Sequence, residues 1–136
     1  MKRSGPITRS TRLRARRATS RRSSRVMDPA YLAFLREDSC GVARSLGYDG
    51  DCSGPMDPEH ERQGVGMGQK ADDARAWSCC RKHHDERHAL SGFFKGWLRP
   101  QLRTFIAGQI DISRARYARV QLSRTASQVG TTSLTP

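Results

Sequence analysis

Apolar side chains are scarce in this sequence. Hydrophobic residues make up 35% of its 136 positions and aromatic residues 7%, thin material for a core that must stand unaided. A domain so short of apolar mass usually needs a metal, disulfides or a partner to hold it together. No run of apolar residues approaches the roughly 20 that span a bilayer, so no membrane partner is expected. The N-terminus has charge but no apolar stretch behind it, which does not fit a secretory signal. Ile7, Leu13 and Val26 are its only large aliphatics, too few for the apolar face of a transit peptide. The expected setting is cytoplasmic and reducing, where cysteines serve as ligands rather than disulfides.

Acid is missing from the first 25 residues, which hold ten of the 25 basic side chains. The rest of the chain carries 15 basic against 13 acidic residues, so nearly all of the net +12 sits in one arm. A basic arm on a nearly neutral domain suits a polyanion, because each phosphate contact releases a counterion whatever the base sequence. Arg12, Arg14, Arg16, Arg17, Arg21 and Arg22 are the candidate nucleic-acid contacts. No residue stands out as a base reader, so little sequence specificity is expected.

The order of segments suggests three regions: a disordered arm over 1–26, a domain over 27–122 and a disordered tail over 123–136. Asp28-Pro29 reads as a helix start, with Tyr31, Leu32, Phe34 and Leu35 as its apolar side, stopping near Cys40-Gly41. Residues 41–58, rich in Gly, Asp and Pro, read as turns with at most short strands. Helix is expected from about Cys80 to Leu90, ended by Gly92. A second helix runs from Phe93 to Ala107, with Phe94, Trp97, Leu98, Leu102, Phe105 and Ile106 apolar and Pro100 bending or splitting it. A further short helix is expected from Asp111 to Leu122.

Every Cys and His lies between residues 40 and 88. His84 and His88 are four apart, so on a helix both imidazoles leave the same face and can chelate one divalent ion. Cys80 and His83, three apart at the helix entrance, have the spacing of half a structural zinc site. Cys40 and Cys52 could supply the other half, although twelve residues separate them and Cys79 beside Cys80 leaves the fourth ligand open. Glu59-His60 adds a carboxylate next to an imidazole. On an extended strand the two point in opposite directions, so joint action cannot be assumed without a bend, for which Pro58 before them and Glu61-Arg62-Gln63-Gly64 after them give an opening.

In order, these pieces are a Cys-containing loop, Glu59-His60, the segment Gly66-Met67-Gly68-Gln69-Lys70-Ala71-Asp72-Asp73, and Cys80-x-x-His83-His84-x-x-x-His88. Over residues 38–92 this resembles the HNH endonuclease family, especially its small phage-encoded members. The resemblance implies an α+β fold with a ββα-metal core, a structural zinc knuckle and flanking short helices. It also implies His60 as general base, and Glu59, His84 and His88 as ligands of a catalytic Mg²⁺, Mn²⁺, Ni²⁺ or Zn²⁺. Asp73 takes the place of the family's middle Asn, holding the loop that orients His60. Two positions depart from the pattern: Glu59 stands where the family usually has His or Asp, and the chain contains no Asn at all.

The function expected from the sequence is metal-dependent hydrolysis of DNA phosphodiester bonds, on DNA that includes branched or single-stranded forms, by a monomer or homodimer. The competing reading is a non-catalytic, zinc-stabilised nucleic-acid-binding module using the same Cys/His set. Arg outnumbers Lys 21 to 4, a bias of GC-rich genomes that points to a bacterial or phage-infected cell.

Overall fold

A computed structural model describes residues 25–62 and 70–129. The arm arginines from Arg12 to Arg22 and the Gly66-Met67-Gly68 segment lie outside the described residues. Among the described residues the fold is α+β, with four α-helices around a two-stranded sheet.

Helix α1 spans Pro29–Glu37, with Pro29 in its first turn and Asp28 as N-cap, whose Oδ1 accepts from the Tyr31 N–H at 2.9 Å. A second helix, α2, spans Gly41–Leu46 in a stretch whose composition suggests turns with at most short strands. Two local features allow it. Gly41 lets the helix start against Trp77, where a Cβ would come within 2.6 Å of the indole, and Gly47 closes it in the left-handed region at φ 66°.

Strand β1 (Met56–His60) pairs antiparallel with β2 (Ala76–Cys80) in a register that sets Glu59 opposite Trp77 and His60 opposite Ala76. Pro58 is tolerated because a two-stranded sheet consists only of edges. All five residues of β2 are buried. Helix α3 (Arg81–Ala89) follows β2 directly, and Leu90 ends it in the left-handed region.

The C-terminal helices expected separately are one helix, α4, over Arg99–Val129. Pro100 neither bends nor splits it, because it occupies the first turn, where its missing N–H has no intrahelical partner to lose. The helix also covers residues 123–129, expected as part of a tail. Between α3 and α4 only a 3-10 turn, Gly92–Phe94, stands where helix was expected to begin, and Leu98 is exposed rather than packed.

Two apolar groups make the core. The larger joins Val42, Trp77, Cys79, Phe94, Ile106 and Ile110 with Cys40 and Cys80. The smaller packs Tyr31 and Leu35 on Ala76, with the ring of Tyr117 of α4 tilted against that of Tyr31 at a centroid distance of 5.2 Å. The arm also reaches the domain sooner than position 27. Arg25 pairs with Asp73 at 2.6 Å, and the Val26 N–H donates to Asp72 Oδ1 at 2.9 Å.

Candidate metal centres

Three chain segments that are distant in sequence meet at His83. Cys40 is the N-cap of α2, Cys52 lies in the loop before β1, and Cys80 ends β2 as the N-cap of α3. Their sulfurs stand 3.5, 3.8 and 3.1 Å from His83 Nδ1, and all four ligand atoms lie within 4.8 Å of one another. A tetrahedral ion with bonds of about 2.3 Å to sulfur and about 2.0 Å to nitrogen needs sulfur–nitrogen separations of roughly 3.6 Å. The group therefore fits, and could bind a metal ion such as zinc. Cys40, Cys80 and His83 are buried and Cys52 partly so, which closes the group to solvent.

The electrostatics of the sulfurs point the same way. A hydrogen bond from Cys79 lowers the Cys40 thiol to about 3, aided against burial by backbone N–H groups of Cys80 and Ala43. Cys52 is pushed up to about 12 by burial and by the neighbouring Cys40 charge. Cys79 is raised as the donor to Cys40 and by burial. Without a cation, Cys40 and Cys52 cannot readily both be thiolates; a metal ion removes that conflict. Cys79 stands outside the donor group, which leaves Cys80 as the strand-end ligand. Asp51 Oδ2 lies 3.4 Å from His83 Nε2, an approach outside hydrogen-bond geometry.

A second group forms where β1 meets α3. Glu59 is buried, and its Oε2 lies 2.6 Å from His84 Nε2 while its Oε1 lies 3.6 Å from His88 Nε2. Spacing of four along α3 puts both imidazoles on one face, with ring centroids 4.7 Å apart. One oxygen and two nitrogens within 4.8 Å make a set that could hold a divalent ion with room for further ligands. His88 is exposed, so this group opens to solvent, unlike the sulfur-rich one.

His60 is not part of that group. The strand is extended without a bend, and its successive side chains diverge: Glu59 turns to α3 and His60 to the loop before β2. There His60 Nε2 meets Asp73 Oδ1 at 3.2 Å. Asp73 is buried and also accepts from Arg25 at 2.6 Å and from the Asp28 N–H at 2.9 Å. Burial works to raise its carboxyl, but the hydrogen bonds from Asp28, Arg25 and His60 outweigh it and hold the group below its ordinary value.

Sequence reasoning missed Arg87 and Arg25. Arg87 Nη1 lies 2.7 Å from Glu59 Oε1. Its position three residues after His84 was the available signal, since it shares the face of the two histidines. Arg25 had no signal beyond being the last basic residue of the arm. Comparison with protein-family models, curated proteins and solved structures finds no match.

Proposed function

We propose that this chain is a metal-dependent endonuclease of the HNH type, hydrolysing DNA phosphodiester bonds with little sequence specificity on a ββα-metal core held by a structural zinc. The observation that carries the reading is the second donor group. One structural zinc needs four ligands, and Cys40, Cys52, Cys80 and His83 supply them. Glu59, His84 and His88 then have no structural ion left to serve. Three O/N ligands, opening to solvent at the exposed His88, match a site that keeps positions for water and substrate. A divalent ion there would supply Lewis-acid polarisation of a phosphodiester oxygen and neutralise charge on the leaving 3′-oxygen.

The rest of the chemistry belongs to the protein's own side chains. The resemblance to the HNH family assigns His60 as the base that takes the proton of the attacking water, although its imidazole leaves β1 on the face opposite the Glu59 carboxylate. Asp73 accepts from the His60 Nε2, which keeps a proton on that nitrogen and leaves Nδ1 as the basic atom. Asp73 is itself held by Arg25 and the Asp28 N–H, so the imidazole is oriented from a rigid, buried anchor. The basic arm supplies affinity for the phosphate backbone.

One observation favours the non-catalytic module instead: Glu59 already has Arg87, His84 and His88 around it and is electrically compensated without an ion. Supercoiled plasmid incubated with Mg²⁺, Mn²⁺, Ni²⁺ or Zn²⁺ decides between the two. The parent should nick with at least one cation, and His60→Ala should lose on the order of 10²- to 10⁴-fold in rate with fold and metal content intact. A parent that binds plasmid but cuts with no cation passes the chain to the module reading. A His60→Ala variant that cuts like the parent removes His60 as the base.

A further inference from the structure

Arg87 belongs to neither donor set, yet it lies inside one of them. Its Nη1 is 2.7 Å from Glu59 Oε1 and 3.3 Å from His88 Nε2. Glu59 and His88 are two of the three residues that could hold a divalent ion. A single guanidinium nitrogen is thus set against two of the residues that an ion would use.

The contacts of this arginine differ from those of the forked pair that anchors α4. Arg116 anchors α4 to the buried Asp38 with both Nε and Nη2, at 3.0 and 2.7 Å. Arg87 has no such fork. Its Nε, like those of Arg25 and Arg44, is buried without a hydrogen-bond acceptor among the described residues, and its side chain is only 13% exposed. A buried donor left unmade is costly, so this placement is maintained by the charge of Glu59 rather than by a complete set of bonds.

We infer that Arg87 is a tethered surrogate cation, holding Glu59 Oε1 and His88 Nε2 in place until a divalent ion displaces it. The inference rests on the Glu59–His84–His88 cation site proposed above and concerns its regulation. A buried carboxylate that stays ionised needs a counter-charge, and the guanidinium supplies it while no ion is bound. A divalent ion and a guanidinium on the same carboxylate repel across a few ångströms, so one excludes the other. Occupancy by the ion is therefore an exchange, and the arginine sets the ion concentration at which it happens.

The test is Mn²⁺ titration of the full-length protein, read from the free-ion paramagnetic resonance signal, with tightly bound zinc and circular dichroism followed in parallel. Arg87→Met keeps the apolar stem and removes the charge; Arg87→Lys keeps the charge. Arg87→Met should bind exchangeable Mn²⁺ roughly tenfold or more tighter than the parent, Arg87→Lys should stay near the parent, and the zinc content of both should be unchanged. Equal or weaker Mn²⁺ binding by folded Arg87→Met overturns the inference. If Arg87→Met loses its fold, Arg87→Gln carries the same comparison. Plasmid cleavage separates the two readings. A parent that cuts, beside an Arg87→Met that gains no affinity, keeps the nuclease and sinks the exchange. A gain in affinity with no cleavage by either protein does the reverse, and no exchangeable Mn²⁺ in any variant sinks both.

Discussion

Glu59 and His60 are neighbours in sequence and occupy separate environments, because a strand turns successive side chains to opposite faces. On one face the carboxylate gathers three side chains of α3; on the other the imidazole is held by Asp73. Asp73 also ties the end of the arm to the domain, through Arg25 and the Asp28 N–H. Its folded-state pKa is depressed, so its contribution to stability is complete above the ordinary carboxylate range near 4 and is lost as pH falls through the lower folded value. Asp73→Asn should cost about 2–3 kcal/mol at pH 7, the worth of the charged hydrogen bonds it removes. It should also flatten the acid side of the stability curve. Urea melts of parent and variant at pH 7 and pH 3 check this: a gap that does not narrow at pH 3 would place the loss in packing rather than charge.

Among the elements, α2 and α4 show how a glycine's surroundings decide its cost. Gly41 touches Trp77 and Gln109 so closely that a methyl group has no room, whereas Gly108, inside α4, has no heavy atom within 4 Å of an added Cβ. Gly41→Ala should therefore lose about 1–3 kcal/mol through overpacking. Gly108→Ala should gain about 1 kcal/mol from helix propensity alone. Thermal melts showing the same sign for both would contradict the packing described. These two helices were also the least legible from sequence. Isolated Gly, Pro and Asp residues punctuate both stretches, and local pattern alone cannot tell a tolerated glycine from a break. The buried face of Ile106, Gln109, Ile110 and Ser113 continues on both sides of Gly108, and packing along it keeps α4 continuous. α1 was legible because its start is local: Asp28 caps and Pro29 follows.

At the scale of the whole molecule, the sulfur-rich group is where the α1–α2 junction, the loop before β1 and the β2–α3 junction come together. Cys40 and Cys80 are also part of the larger apolar core, so the group and the core are one structure. With 35% hydrophobic residues, the chain has little else to join these segments. If a zinc ion occupies the group, its binding free energy is folding free energy. Stripping metal with a strong chelator should remove most of the ordered circular dichroism and the cooperative melt, and adding zinc back should restore both. A melt unchanged by chelation would show that apolar packing suffices without the ion.

What the sequence determined by itself was chemistry and local geometry. The confinement of every Cys and His to residues 40–88, the shared helical face of His84 and His88, the capped start at Asp28 and the basic arm all follow from residue identity and spacing. Tertiary structure alone decided which of these residues meet. Cys40 and Cys52, twelve apart, reach the same imidazole through a loop whose path no periodicity encodes. The choice of Cys80 over Cys79 depends on the strand's facing, and the meeting of Asp73 with His60 and Arg25 on how the preceding loop returns to β1. Helical and strand periods fix which side chains share a face of one element. Contacts between elements depend on register and on burial summed over the whole chain.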